Sequence, residues 1–290
     1  MSRLFAFGLG YSAQALAARL SAKGWQIAGT ARDEANIARL RAQGYEVVRF
    51  AGEPNNREVA KLLHGTTHLL HSIPPGHDGD AVLAHHRQEI GALGSLEWIG
   101  YLSTVGVYGD QKGRWVDETA ELKPNSDRTG ARVEAEQAWL RFGKEAGVPV
   151  QIFRLAGIYG PGRSVFDKLS AGTARRIRKD GQVFSRIHVE DIATVLEASI
   201  AHPRGSAIYN VADDEPAAPD EVVAYAAKLI GVPPPPEIAF EDADLTLMAR
   251  SFYEGSRRIS NARIKSELGV NLRYPTYREG LASLLEERAS

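Results

Sequence analysis

Cysteine is absent from this chain, which removes a disulfide framework, a thiolate metal site and a cysteine nucleophile from consideration. The gap fits a reducing compartment, and the expectation is a cytoplasmic protein. Long apolar runs are absent too: nothing approaches the roughly 20 residues that span a bilayer. The opening residues show no signal-peptide layout, because their apolar side chains belong to what reads as a first strand. With 35 Lys and Arg against 36 Asp and Glu, the formal net charge is -1, which leaves no basic excess for nucleic acid. No internal repeat, heptad run, nucleophile-elbow pattern or phosphate-cradling Gly-Lys-Ser/Thr loop occurs.

What is present is a regular alternation of helix and strand signals over 290 residues. Leu4 to Phe7, Trp25 to Ala31, Tyr45 to Phe50, Thr67 to Ile73, Trp98 to Thr104 and Val148 to Leu155 are apolar runs of strand length. Helical patterns separate them: Gln14 to Leu20, Ala35 to Gln43, Val59 to His64, Asp80 to Leu93 and Ala131 to Glu145, most of them followed by a glycine stop. Such alternation implies a parallel sheet covered on both faces, doubly wound by right-handed crossovers. The second half is less regular. It reads as helix over Val165 to Lys179, strand over Val183 to Ile187, helix over Asp191 to Ala201, strand over Ala207 to Val211 and helix over Asp220 to Leu229. Pro233 to Pro236 form a stiff spacer, and Thr276 with Glu279 makes a capping box for a last helix.

The first loop is the most specific local signal. Gly8-Leu9-Gly10-Tyr11-Ser12-Ala13 lies between the first strand and the first helix. Gly8 allows the tight turn, Gly10 lets backbone N–H groups approach a pyrophosphate, and the small Ala13 lets helix and strand pack closely. The helix N-terminus then offers partial positive charge to the anion, and Tyr11 and Ser12 of the loop are expected to join the cofactor contacts. The expected fold is therefore a Rossmann-type doubly wound α/β sheet with a smaller C-terminal α/β lobe for substrate. Residues 1–160 would hold the dinucleotide, with about 183–212 returning to that domain, while 161–182 and 213–290 would form the lobe.

Further segments, collinear from about residue 3 to about residue 285, resemble the extended short-chain dehydrogenase/reductase superfamily of nucleotide-sugar epimerases and dehydratases. They are the glycine loop, Tyr101-Leu102-Ser103-Thr104-Val105-Gly106-Val107-Tyr108-Gly109, Val116-Asp117-Glu118 with Pro124, Arg154-Leu155-Ala156-Gly157-Ile158-Tyr159-Gly160-Pro161-Gly162, Ile187-His188-Val189-Glu190-Asp191-Ile192-Ala193 and Ile208-Tyr209-Asn210-Val211. The resemblance implies chemistry carried by Ser/Thr, Tyr and Lys, with hydride moved to or from a nicotinamide. Thr104 fills the Ser/Thr position and would polarise a carbonyl. Aligning Ala135-Glu136 with the family puts Arg128 at the Tyr position and Arg132 at the Lys position. A guanidinium does not deprotonate in proteins, so Arg128 does not replace the tyrosine, whereas Arg132 has the donors to hold a ribose or phosphate. This looks like an atypical branch that keeps the binding fold and loses the standard acid/base. Tyr108, Glu118 and His188 are plausible stand-ins by position, but a packed aromatic, a loop carboxylate and a structural His are the plainer readings of them.

The end of the second strand, Gly29-Thr30-Ala31-Arg32-Asp33, bears on the cofactor. Ala31 stands where an acid would hold the 2′-OH of NAD(H), and Arg32 beside it suits a 2′-phosphate, with Thr30 adding a hydroxyl. NADP(H) is thus preferred, while NAD(H) stays open because Asp33 is a rival for the ribose. Phe50-Ala51-Gly52-Glu53 and Ser72-Ile73-Pro74-Pro75-Gly76 depart from the family beside the cofactor, and the two prolines remove N–H donors.

The resulting expectation is an NAD(P)-binding epimerase/dehydratase- or reductase-like protein. Its substrate would be nucleotide-sugar-like or another small hydroxyl or carbonyl compound, phosphorylated or nucleotide-linked. The alternative is a non-catalytic NADP(H)-binding or sensing module. No metal site is expected: His64, His68, His71, His77, His85 and His86 lie near one another, but His68 and His71 face opposite sides of a strand. Arg175, Arg176, Arg178 and Lys179 read as a solvated helix face or, more sharply, a contact to a substrate phosphate, as do Arg257 and Arg258. Relatives dimerise through paired helices, and apolar Val82, Leu83, Ile90 and Leu93 would permit a homodimer of that kind.

Overall fold

A seven-stranded parallel sheet organises the molecule. The computed structural model describes residues 2–54, 56–203 and 205–289, the side chains of Met248 and Ala289 aside. The first half runs β1 (Arg3–Phe7), α1 (Tyr11–Ala22), β2 (Gln26–Ala31), α2 (Glu34–Ala42), β3 (Glu46–Arg49), α3 (Arg57–Leu62), β4 (His68–His71), α4 (Ala81–Gly91), β5 (Trp98–Thr104), β6 (Trp115–Val116), α5 (Asp127–Ala146) and β7 (Val150–Leu155). The rest runs β8 (Gly157–Tyr159), α6 (Val165–Ser170), β9 (Arg176–Arg178), β10 (Arg186–His188), α7 (Val189–Ala201), β11 (Ala207–Val211), α8 (Pro219–Leu229), β12 (Glu237–Ala239), α9 (Leu247–Ser251), β13 (Arg258–Ile259), α10 (Ala262–Leu268) and α11 (Tyr277–Ala289).

The strand order is β11-β7-β5-β4-β1-β2-β3, with parallel register throughout. The chain winds outward from β1 to β3, then returns to place β4 on the other side of β1. That reversal opens a crevice at the carboxyl ends of β1 and β4, where ligands bind in open α/β sheets. Strand side chains alternate between the two faces. Leu4 and Ala6 join the core under α1 and α7, while Phe5 and Phe7 join the core under α3, α4 and α5. Helix starts follow local chemistry: Asp33, Asn56, Asp80 and Ser126 each accept a backbone N–H of the turn they cap.

A separate cluster of Tyr159, Phe166, Val222, Ala226, Tyr277, Leu281 and Leu284 joins α6, α8 and α11 on the C-terminal side. Of residues 183–212, α7 packs on α1 and β11 completes the main sheet, whereas β10 pairs with β8 in a small ladder of its own.

Two expectations are corrected. Val165 to Lys179 is not one helix. α6 ends at Ser170, Gly172 takes a left-handed φ of 65°, and Arg176–Arg178 becomes a strand beside β12. Both Arg176 and Arg178 pair with Glu237 there, so the basic run forms no helical face. Val82, Leu83 and Ile90 do not form a dimer surface, because they are buried against the sheet. Among the described residues no helix is long and apolar enough to cross a membrane, and no group of three His, Cys, Asp or Glu side chains converges as a metal site.

Candidate active site

The glycine loop is braced from behind and open in front. Gly8 has a φ of 83°, and its N–H donates to Thr30 Oγ1 at 2.9 Å. Thr30 is fully buried, so its hydroxyl supports the turn instead of facing a ligand, which corrects the expected cofactor contact. Ser72 Oγ donates to the Gly8 carbonyl, and a Cβ on Gly8 would lie 2.9 Å from Ile73 Cγ1, so the loop after β4 closes on the turn. Ala13 is wholly buried against the sheet.

Gly10, by contrast, has nothing within 4 Å of a built Cβ. It is the N-cap of α1, supplies no side-chain cap, and no acid follows it in the first turn. The first-turn amides of Tyr11, Ser12 and Ala13 therefore face outward without the caps that α2, α4 and α5 carry. These features fit a dinucleotide pyrophosphate, which would take the outward N–H groups as its cap. Tyr11 reaches across the crevice, donating from Oη to the Pro161 carbonyl at 2.9 Å. Burial pushes its hydroxyl up to about 12, so it stays neutral.

On the ribose side, Asp33 caps α2 by accepting the Asn36 N–H at 2.8 Å. Its carboxylate is engaged there, while neighbouring Arg32 is exposed. Glu53 accepts the Ala51 N–H at 2.6 Å and pairs with Arg49, so its carboxylate is held by its own loop.

The other side of the crevice is the end of β5. Thr104 is partly exposed and its Oγ1 accepts the Gly106 N–H at 3.1 Å, starting a short 3-10 turn, Val105–Tyr108. That bond uses an acceptor lone pair and leaves the hydroxyl proton free to donate. Arg132, half-buried on α5, donates from Nη1 to the Leu102 carbonyl at 2.6 Å, two residues before Thr104. Arg128, one turn earlier, is exposed, with its guanidinium 5.2 Å from the Phe252 ring centroid.

The three proposed stand-ins belong to the frame. Tyr108 is fully buried, donates to Asn210 Oδ1 at 2.7 Å and accepts from Arg154 Nη1 at 2.9 Å. Glu118 accepts the Asn210 N–H at 2.7 Å, and burial raises its carboxyl above the usual range. His188 Nδ1 caps α7 by accepting the Glu190 N–H at 3.2 Å, and burial lowers its imidazole to about 4.

Two buried polar groups behind the site escaped sequence reasoning. Glu136 binds Arg154 at 2.7 Å and accepts from Ser103, tying α5, β7 and β5 together beneath Thr104. Arg154 inside the apolar run Ile152-Phe153-Arg154-Leu155 was the available signal, since a cation there needs a buried partner. His71 Nε2 meets Asp80 Oδ2 at 2.7 Å, and Trp139 Nε1 donates to the same oxygen at 3.0 Å. Burial raises the Asp80 carboxyl, but His71, the Leu83 N–H and Trp139 together bring it down to about 2. This contact pins both ends of the Ser72–Gly79 loop, and nothing in local spacing announces it.

The sheet order, the glycine turn at its switch point and the uncapped α1 define a Rossmann-type dinucleotide-binding fold. The model of the NAD dependent epimerase/dehydratase family matches residues 89–212 of the chain. Among solved structures, a functionally unknown conserved protein from Silicibacter pomeroyi DSS is 49% identical, with 100% of each chain covered and a TM-score of 0.90. Protein YeeZ of Escherichia coli K12 is 28% identical over 296 aligned residues, covering 95% of this chain and 97% of that one. DesIV, a dTDP-glucose 4,6-dehydratase from Streptomyces venezuelae solved as a double mutant with NAD and DAU bound, is 18% identical. Its TM-score is 0.78 over 100% of this chain and 97% of that one, a likeness of fold.

Proposed function

We propose that this chain binds NADP(H), in preference to NAD(H), and acts on a small hydroxyl or carbonyl substrate that is phosphorylated or nucleotide-linked. The observation that carries the cofactor reading is the open, uncapped start of α1 at Gly10, beside an exposed Arg32 and an Asp33 already engaged as a helix cap. In this reading Gly8, Gly10, Tyr11, Ser12 and Ala13 form the pyrophosphate seat, Arg32 pairs with the 2′-phosphate, and Arg132 anchors the nicotinamide ribose. Bound there, the cofactor supplies hydride chemistry. Thr104 donates its proton toward a substrate carbonyl. Substrate sits against a lobe built from 161–182 and 213–290, and the lack of cysteine supports a cytoplasmic setting.

The test is calorimetric titration with NADP+ and with NAD+. NADP+ should bind about tenfold or more tightly, and Arg32→Ala should erase the difference, because about 1.4 kcal/mol separates each factor of ten. Equal affinities in the unsubstituted chain would overturn the preference.

A second reading, a non-catalytic NADP(H)-binding or sensing module, is favoured by one observation: Arg128 stands where the family's tyrosine would and stacks on Phe252. Turnover of any hydroxyl or carbonyl substrate that Thr104→Val abolishes would dismiss it.

A further inference from the structure

Three guanidiniums border the exit of β5. Arg132 bonds the carbonyl of Leu102, just before Thr104. Arg257 bonds the carbonyl of Gly109 at 2.7 Å, just after the 3-10 turn. Arg128 lies one helical turn before Arg132 and reaches Phe252, on the same segment that delivers Arg257. The start of α5 is pressed on the turn, since a Cβ at Gly106 would sit 3.3 Å from Thr129 Cγ2. Among the described residues, none of the three has a carboxylate oxygen within 4.0 Å. Elsewhere guanidiniums beside the sheet do find one: Arg154 holds Glu136, Arg3 holds Glu46, and Arg263 holds Glu267.

Arg257 is the most telling of the three. Its Nε is buried without a partner, and burial lowers its pKa against a weak opposing pull from Asp110. Asp110 is itself occupied, accepting the N–H groups of Ser256 at 2.9 Å and Lys112 at 3.0 Å. A tie between Gly109 and its neighbour segment needs only a neutral donor. A desolvated cation without a counter-charge is costly, and fork-shaped donors match planar or tetrahedral oxyanions.

We propose that Arg128 and Arg257, backed by Arg132, form a seat for an anionic group of the substrate, a carboxylate or phosphate, beside Thr104. This rests on the reading of the crevice as a substrate site. It places recognition of charge at the reacting end of the cleft, where the family resemblance puts a proton-transfer tyrosine. The seat selects an acidic substrate and turns its adjacent carbon toward Thr104, and the association is screened by salt.

The test uses the full chain, first titrated with NADP+ alone so that failure of the cofactor reading is seen separately. Malonate and inorganic phosphate are then titrated by calorimetry at low ionic strength, with NADP+ saturating if it binds and on the free chain if it does not. Saturable binding is expected, weakened at least about tenfold by Arg128→Gln and by Arg257→Gln. Malonate alone identifies a carboxylate seat, phosphate alone a phosphate seat, and both an oxyanion seat of either kind. Arg128 is exposed, so Arg128→Gln keeps the fold, and a thermal melt checks Arg257→Gln. Binding of neither anion, or affinity unchanged in Arg128→Gln, overturns the proposal.

Discussion

His86 is buried on α4 with neither ring nitrogen hydrogen-bonded and Glu89 no nearer than 3.9 Å; its ring stacks 5.8 Å from Phe7 and meets Phe50 edge-on at 5.3 Å. Burial holds it, His68 and His188 below the usual imidazole range, with His188 at about 4. The unfolded chain therefore binds protons that the folded chain refuses. Stability from these groups is present above about pH 6.5 and lost as pH falls toward about 4. A melting series should show that decline, and His86→Phe should flatten part of it and raise the melting temperature at about pH 5. Asp213 acts in the opposite sense. Burial outweighs the nearby Arg186 and raises its carboxyl to about 8, so the folded chain keeps a proton that the unfolded chain releases. Its contribution fades as pH rises from about 4 to about 8. Asp213→Asn should gain melting temperature relative to the native chain across that window, and a gap constant with pH would contradict the assignment.

At the scale of elements, the buried pair Glu136–Arg154 ties helix to sheet. Glu136→Ala strands a buried guanidinium and should cost about 3–5 kcal/mol in denaturant unfolding, while Glu136→Leu with Arg154→Met should cost much less. Gly280 gives a second check. It lies inside α11, where Ala is ordinarily better by about 1 kcal/mol. A Cβ there would collide with the buried Tyr159 ring, 2.7 Å from Cε2, so Gly280→Ala should instead destabilise, by about 1–3 kcal/mol. The main-sheet elements were legible because their apolar runs, glycine stops and capping residues agree locally. The turn from α6 into β9 was not. Val165 to Lys179 has no proline and only Gly172 to interrupt it, and strand formation at Arg176–Arg178 depends on β12, about sixty residues away.

At the scale of the molecule, the glycine loop, Thr104 and Arg132 lie around one crevice because β1, β4 and β5 are neighbours in a sheet whose order reverses beside β1. Sequence supplied those residues through a local turn and collinear motifs. It assigned Thr30 outward, because strand alternation does not reveal that the Gly8 N–H turns back to meet its hydroxyl. It also left Arg128 and Arg257 apart, since the fold alone brings residue 257 to Gly109. On this reading the uncapped start of α1 is a cofactor seat and not a structural turn. Gly10→Val tests it directly, because the added side chain enters open space and Gly10 has a φ of -85° that valine tolerates. NADP(H) titration by fluorescence, read beside a thermal melt, should show affinity falling at least about tenfold with the melting temperature nearly unchanged. Unchanged affinity, or no NADP(H) binding by the unsubstituted chain, would make the start of α1 a structural turn only.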